Sequence, residues 1–252
     1  MKKFSFLMLL LFSGLFSTVT AQFSGDEIVD KTIEKAGGSR FDKASISFTF
    51  RGKEYRSARS NGNYQLERLI PGTDGMVHDI LNNHGLSRSI ESCKVKVVDS
   101  MVTKISDGVN SVHYFANLPY GLNAPAVNKE LVGEAKIKGA SYYEVRVTFD
   151  QEGGGTDFDD EFMYWIHKEN FTIDYLAYKY AVDGGGIRFR EAYNSRVING
   201  IRFVDYKNYK TDDLSTPLSK LDTMFEKEQL KLLSKIELEN VYVYVYVEKD
   251  CC

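Results

Sequence analysis

Residues 44–70, ASISFTFRGKEYRSARSNGNYQLERLI, decide the fold class. Ile46, Phe48 and Phe50 point one way and Ser45, Ser47 and Thr49 the other, the period of two that belongs to a half-buried strand. Arg51-Gly52-Lys53 and Ser60-Asn61-Gly62-Asn63 then turn the chain twice, the Asn-Gly step being a strong hairpin signal. A meander of antiparallel strands follows, because parallel neighbours would need a crossover of about a dozen residues.

Working outward, two more strands are predicted at 76–81 and 86–90, the first of which also reads as a helix. A helix over 100–115 then interrupts the meander, with Asp99-Ser100 as its cap and Val102, Ile105, Val109 and Val112 as its buried stripe. Pro119 and Pro125 bracket a loop, since proline has no amide to give a ladder. A second β run is predicted from Tyr142, with strands at 142–149, 161–167, 172–182, 187–195 and 201–210 joined by hairpin-length turns. Ser215-Thr216-Pro217 opens a third helix whose apolar stripe is Leu218, Leu221, Met224 and Phe225. Residues 234–247 read as one final strand with valines on one face and tyrosines on the other, so both faces are expected to be covered. Toward the N-terminus, Ser24-Gly25-Asp26-Glu27 is a capping box ahead of a helix carrying Ile28, Val29 and Ile33, and Gly37-Gly38 stops it. The expected architecture is mainly β (α+β): a single curved antiparallel sheet or half-barrel of about ten strands, with three amphipathic helices over its concave face. No linker divides residues 22–252, which read as one domain.

Before this domain, Lys2 and Lys3 precede an apolar run over 4–16 and the small-residue stretch Val19-Thr20-Ala21. This is the pattern of a signal peptide, residues 1–21, cleaved after Ala21, and the run is too short for the roughly 20 residues of a membrane span. Periplasmic export follows. A barrel embedded in the outer membrane is not expected, because 54–59 carries charge at both parities.

Composition excludes several functions. The 252 residues carry 32 basic and 35 acidic side chains for a net charge of −3, which leaves no basic footprint for nucleic acid. Cys93, Cys251 and Cys252 form no disulfide framework, and the four histidines are too scattered for a metal site. Asp157, Asp159, Asp160 and Glu161 lack calcium-loop spacing and read as a solvated hairpin. The glycine triplets at 153–155 and 184–186 feed strands, not the helix N-terminus a phosphate loop needs. No nucleophile elbow or paired Ser/Cys–His motif is present, so no enzyme signature is found and no cofactor is expected.

The segments Tyr114-Phe115-Ala116-Asn117-Leu118-Pro119-Tyr120, Asp174-Tyr175-Leu176-Ala177-Tyr178 and Gly185-Gly186-Ile187-Arg188-Phe189-Arg190 resemble an exported Gram-negative family of unknown function. That family looks like a relative of the lipoprotein carriers LolA and LolB, in which a curved sheet wraps an apolar cavity closed by helices. The resemblance implies a monomeric binding or carrier protein for a hydrophobic or acylated ligand, extending to a lipoprotein. Its wall candidates are Phe48, Phe50, Tyr64, Leu66, Trp165, Tyr175 and Tyr178, with Val102, Ile105 and Val109 as a lid. Tyr175 and Tyr178 have opposite parity, so only one can face a cavity. Arg68, Arg188 and Arg190 are candidate polar anchors, although the preferred reading of Arg68 is one half of a structural ion pair. The alternatives are a non-catalytic envelope scaffold whose aromatics simply fill the core and, third, an exported hydrolase.

Overall fold

The computed structural model describes residues 23–156, 158–181 and 184–246. The expected signal peptide, Asp157, Cys251 and Cys252 lie outside these residues. Ser24 caps helix α1 (Gly25–Ala36) as the sequence predicts: its Oγ accepts from the Glu27 amide at 3.2 Å, and the Glu27 carboxylate accepts from the Ser24 amide at 2.8 Å. That second bond holds the Glu27 carboxyl below its usual range.

The strands are β1 (Ala44–Phe50), β2 (Lys53–Ser60), β3 (Asn63–Gly72), β4 (Gly75–Asn82), β5 (Gly85–Ile90) and β6 (Cys93–Val95), then β7 (Val127–Ile137), β8 (Ala140–Phe149), β9 (Glu161–His167), β10 (Ile173–Tyr180), β11 (Gly186–Ile198) and β12 (Ile201–Lys210), and last β13 (Lys231–Ile236) and β14 (Glu239–Val245). They form two antiparallel sheets of seven strands, in the orders β14-β1-β2-β3-β4-β5-β6 and β13-β12-β11-β10-β9-β8-β7. This corrects the single sheet of about ten strands expected from sequence. Two differences account for most of it. Strand β7 lies in a stretch to which the sequence reading assigns no element; its outward face is charged and its register shifts between Leu131 and Gly133, a bulge that breaks the period of two. The stretch 234–247 is two strands in different sheets, parted at Glu237-Leu238.

The crossing between sheets is held by polar contacts invisible to periodicity. Asp205 on β12 accepts from the Leu238 amide at 3.0 Å and from Arg196 Nη1 at 3.1 Å. Arg196 Nη2 in turn donates to the Leu238 carbonyl at 2.7 Å. Strand β14 therefore leaves one sheet and pairs with β1 at the edge of the other, where Tyr242 and Tyr244 are exposed. Among the described residues nothing forms the second covered face expected for these tyrosines.

Among the described residues there are three α-helices, with 3-10 turns at Gly38–Lys43 and Leu218–Lys220, and the α-helices do not share one face. Helix α1 lies against β7 and β12, and α2 (Asp99–Ala116) against β3, β4 and β5. In the second sheet Tyr164, Leu176 and Tyr178 pack with Ile28 and Val29 of α1. Met163, Trp165, Tyr175 and Phe189 face the other way and pack under Leu221 and Phe225 of α3 (Leu221–Glu226), behind a 3-10 turn at Leu218–Lys220. Both faces of this sheet are thus covered, which corrects the expectation of three helices on the concave side. A third cluster, with Ile46, Phe48, Tyr55, Phe203 and Val243, draws on both sheets. Among the described residues no helix is long and apolar enough to cross a membrane.

Candidate functional site

Helix α2 sets the floor of the site. Its first helical residue is Asp99 and its N-cap is Val98, which has no capping side chain, so the cap expected at Asp99-Ser100 is not formed. Val102 in this first turn is 36% exposed, while Ile105 and Val109 are buried. The stripe expected from sequence therefore packs from Ile105 onward only. The helix is seated by a buried polar cluster. Asp79, fully buried on β4, accepts from Arg68 Nη2 at 2.8 Å and from Arg88 Nε at 2.5 Å. Burial by itself would raise the Asp79 carboxyl, but the hydrogen bonds and charges of Arg88 and Arg68 hold it below its ordinary value. Gly108 of α2 lies directly over Arg68: a Cβ there would stand 2.9 Å from Nη1.

Further along α2, buried His113 meets the Glu67 carbonyl through Nε2 at 3.1 Å, with Phe48 and Tyr55 edge-on to its ring. Desolvation lowers its pKa to about 4, outweighing the carbonyl contact, so the ring is neutral and its Nε2 carries the proton donated to Glu67.

Beside the second half of α2 opens a cleft of about 1550 Å³. Helix α1 contributes Ile33, the β2–β3 hairpin contributes Tyr64 and Leu66, α2 contributes Tyr114, and Phe149 and Phe171 come from the ends of β8 and the β9–β10 turn. The rim is charged with both signs, including Asp30, Lys31, Glu34 and Arg59. Arg59 stacks on the Tyr120 ring at 4.7 Å, and Tyr120 donates to Asp42 at 3.1 Å. Lys31 stands 4.9 Å from the Phe23 ring and 5.5 Å from Phe171. At the back of the cleft the Tyr114 and Tyr164 hydroxyls meet at 2.8 Å, and burial pushes both phenols up.

The structure brings only some of the sequence candidates to this cleft. Tyr64 and Leu66 line it. Phe48 is fully buried and Phe50 packs beside it in the cluster shared by the sheets. Trp165 and Tyr175 lie on the α3 side of the second sheet, and Tyr178 on the opposite side. Arg68 is ion-paired under α2. Arg188 donates to the Ile187 carbonyl at 3.0 Å and to Tyr180 Oη at 2.5 Å. Arg190 is buried against Phe115, Tyr178 and Tyr206. Ile33, Tyr114, Phe149 and Phe171 are not among the sequence's wall candidates: Ile33 reads only as part of the apolar face of α1, and the other three stand at element ends and turns where no period marks a face.

Two sheets with helices packed in this order define a LolA-like fold. A LolA superfamily protein from Nitrosomonas europaea superposes with a TM-score of 0.51 at 10% identity, over 91% of this chain and 96% of that one. A DUF1329 family protein from Desulfovibrio piger, 12% identical, gives 0.46 over 89% and 95% of the two chains, too low to add weight. The chain belongs to a family of unknown function, DUF6503, whose model matches residues 2–238. No curated protein sequence matches it significantly.

Proposed function

We propose that the protein is an exported periplasmic carrier or binding protein for a ligand with an apolar chain, held in the cleft between α1, α2 and the β2–β3 hairpin. The observation that carries this reading is the cleft itself, about 1550 Å³ in a LolA-like fold. Small-molecule sites commonly span about 300–1,000 Å³, so an acyl chain has room even where part of the volume is open to water. Each methylene removed from water there contributes about 0.8 kcal/mol, and no cofactor is required. In this reading Tyr64 and Leu66 are wall residues, joined by Ile33, Tyr114, Phe149 and Phe171. Ile105 and Val109 keep α2 in place, and the remaining aromatic candidates supply a rigid core behind the wall.

The test is native mass spectrometry of the protein from a Gram-negative periplasm, together with displacement of a fluorescent fatty acid. Co-purified acyl species and micromolar displacement are expected. Ile33→Glu should weaken that binding at least tenfold with little change in melting temperature, because Ile33 is only partly buried on the helix face toward the cleft. A protein that carries and binds no acyl compound overturns the proposal. It would favour the envelope scaffold, which the complete packing of Phe48, Trp165 and Phe189 suits.

A further inference from the structure

Several half-buried arginines of the two sheets meet a carboxylate: Arg68 and Arg88 pair with Asp79, Arg196 with Asp205, and Arg202 with Asp174. Arg190 on β11, 7% exposed and the most deeply buried arginine among the described residues, pairs with no carboxylate among them. Its guanidinium lies 3.8 Å from the Phe115 ring centroid, 5.1 Å from Tyr178 and 5.8 Å from Tyr206. One hydrogen bond is made, from Nη2 to Tyr178 Oη at 2.8 Å, while Nε and Nη1 have no partner.

Arginine stays charged in proteins, so this cation cannot escape burial by losing its proton. The ring faces return part of the desolvation cost through cation–π attraction. They offer nothing to the N–H groups on the guanidinium's edges, and a buried donor without an acceptor is costly. The unmet donors have a shape. Nη2 bears two hydrogens, one facing the Nε side and one facing the Nη1 side. Whichever of them Tyr178 takes, the other stands parallel to a free N–H on Nε or on Nη1. One complete two-donor edge is therefore open, the arrangement that receives a planar two-oxygen anion.

We propose that Arg190 is the recessed anchor for the carboxylate of an acyl-chain ligand, which deepens and rests on the carrier reading above. One cation among aromatic rings balances a single negative charge, which favours a carboxylate over a doubly charged phosphate. Packed aromatic side chains separate the cleft from the guanidinium. Tyr114 lines the cleft, and its neighbour Phe115 covers the guanidinium. Phe149 also lines the cleft and packs edge-on to Phe162, which stacks on Tyr178. Rotation of Tyr114 and Phe115, in the last turn of α2, joins the cleft to Arg190 and lets the head group enter while the chain lies along the cleft.

Calorimetric titration of the full mature chain with palmitate, hexadecanol and acetate at pH 8 tests this, with Arg190→Gln and Arg190→Met beside the wild type and circular dichroism as the check on folding. Palmitate should bind wild type at least tenfold more tightly than hexadecanol. Both variants should lose that preference and keep their affinity for hexadecanol. Tyr178→Phe, which leaves the charge in place and frees Nη2, should retain the preference. Equal binding of palmitate and hexadecanol by wild type, or an unchanged preference in folded variants, overturns the anchor and leaves the carrier reading standing. Acetate binding as tightly as palmitate overturns the head-group assignment in favour of a free small anion. Binding of neither long-chain compound overturns the anchor and the carrier together.

Discussion

Arg68 and Arg190 are both arginines on strand faces turned toward α2, yet the protein treats them in opposite ways. Under the middle of the helix, Arg68 and Arg88 share the buried carboxylate of Asp79, so donors and acceptor satisfy one another. Near the helix end, Arg190 has only rings and one tyrosine hydroxyl. The first arrangement is complete without a ligand and the second is not. A buried charge with its partner in the fold is a structural part, whereas one lacking a partner adds to the cost of folding and leaves room for something else to bind.

The largest effect expected from this contrast is at Asp79. Asp79→Ala leaves two inward guanidiniums without their acceptor, and breaking a buried pair from one side costs about 3–5 kcal/mol. Urea unfolding should show a loss in that range. A loss below about 1 kcal/mol would mean that the two arginines turn outward to water, and Arg68 would then lose its structural role.

How far such contrasts could be read from sequence depends on their physical cause. The hairpins from β1 to β5 and from β8 to β12 were legible because alternation and turn residues are local. The capping box at Ser24-Glu27 was legible for the same reason. Strand β7 and the split at Leu238 were not, since a bulge at Leu131/Gly133 and a clamp by Asp205 and Arg196 are set by partners elsewhere in the chain. At the site, Arg190 and Phe189 are adjacent on β11 and so take opposite faces, as the alternation of a strand requires. Parity could not reveal that Asp79 answers Arg68 while Arg190 meets no carboxylate, because pairing across strands depends on register. The cleft was least legible: beyond Tyr64 and Leu66 it is lined by Ile33, whose helix face reads simply as core, and by Tyr114, Phe149 and Phe171 at element ends and turns.

The next effect concerns acid. Buried His113 has its pKa lowered to about 4 from an ordinary 6.5, so the folded protein resists a proton that the unfolded chain accepts. Its contribution to stability is complete above pH 6.5 and is lost as pH falls toward 4, a change of about 3 kcal/mol. His113→Gln keeps a donor for the Glu67 carbonyl and should remove that part of the acid sensitivity. Unfolding curves at pH 7.5 and 4.5 measure it. An equal acid loss in wild type and variant would show that His113 is reached by water and takes the proton in place.

A smaller effect tests whether the Arg68 cluster seats the helix. Gly108→Val puts side-chain atoms where Arg68 Nη1 stands, and Arg68 cannot withdraw freely while Asp79 holds it. Overpacking of this kind costs about 1–3 kcal/mol. The double variant Gly108→Val/Arg68→Ala should fall short of the summed losses by more than about 0.5 kcal/mol, the sign of direct contact. Strict additivity would separate the glycine from the arginine.

The smallest effect is the one whose sign separates the two arginines. Arg68→Met removes a partner from Asp79 and should lower stability, because the carboxylate keeps only Arg88. Arg190→Met removes a charge that has no counterion among the described residues and two nitrogens that have no acceptor. Against this gain stand the lost cation–π contact with Phe115, about 0.5–2 kcal/mol, and the bond to Tyr178, about 1 kcal/mol. Methionine returns part of both through its thioether against the same rings, and the Tyr178 hydroxyl can turn to another acceptor. The net expectation is a rise of about 1 kcal/mol in the ligand-free protein, read as a higher urea midpoint at unchanged slope. Palmitate should reverse the order, since a ligand that binds only the wild type adds its binding free energy to that fold. If Arg190→Met loses stability as Arg68→Met does, the two arginines are alike, and the cost of burying Arg190 is already met within the fold.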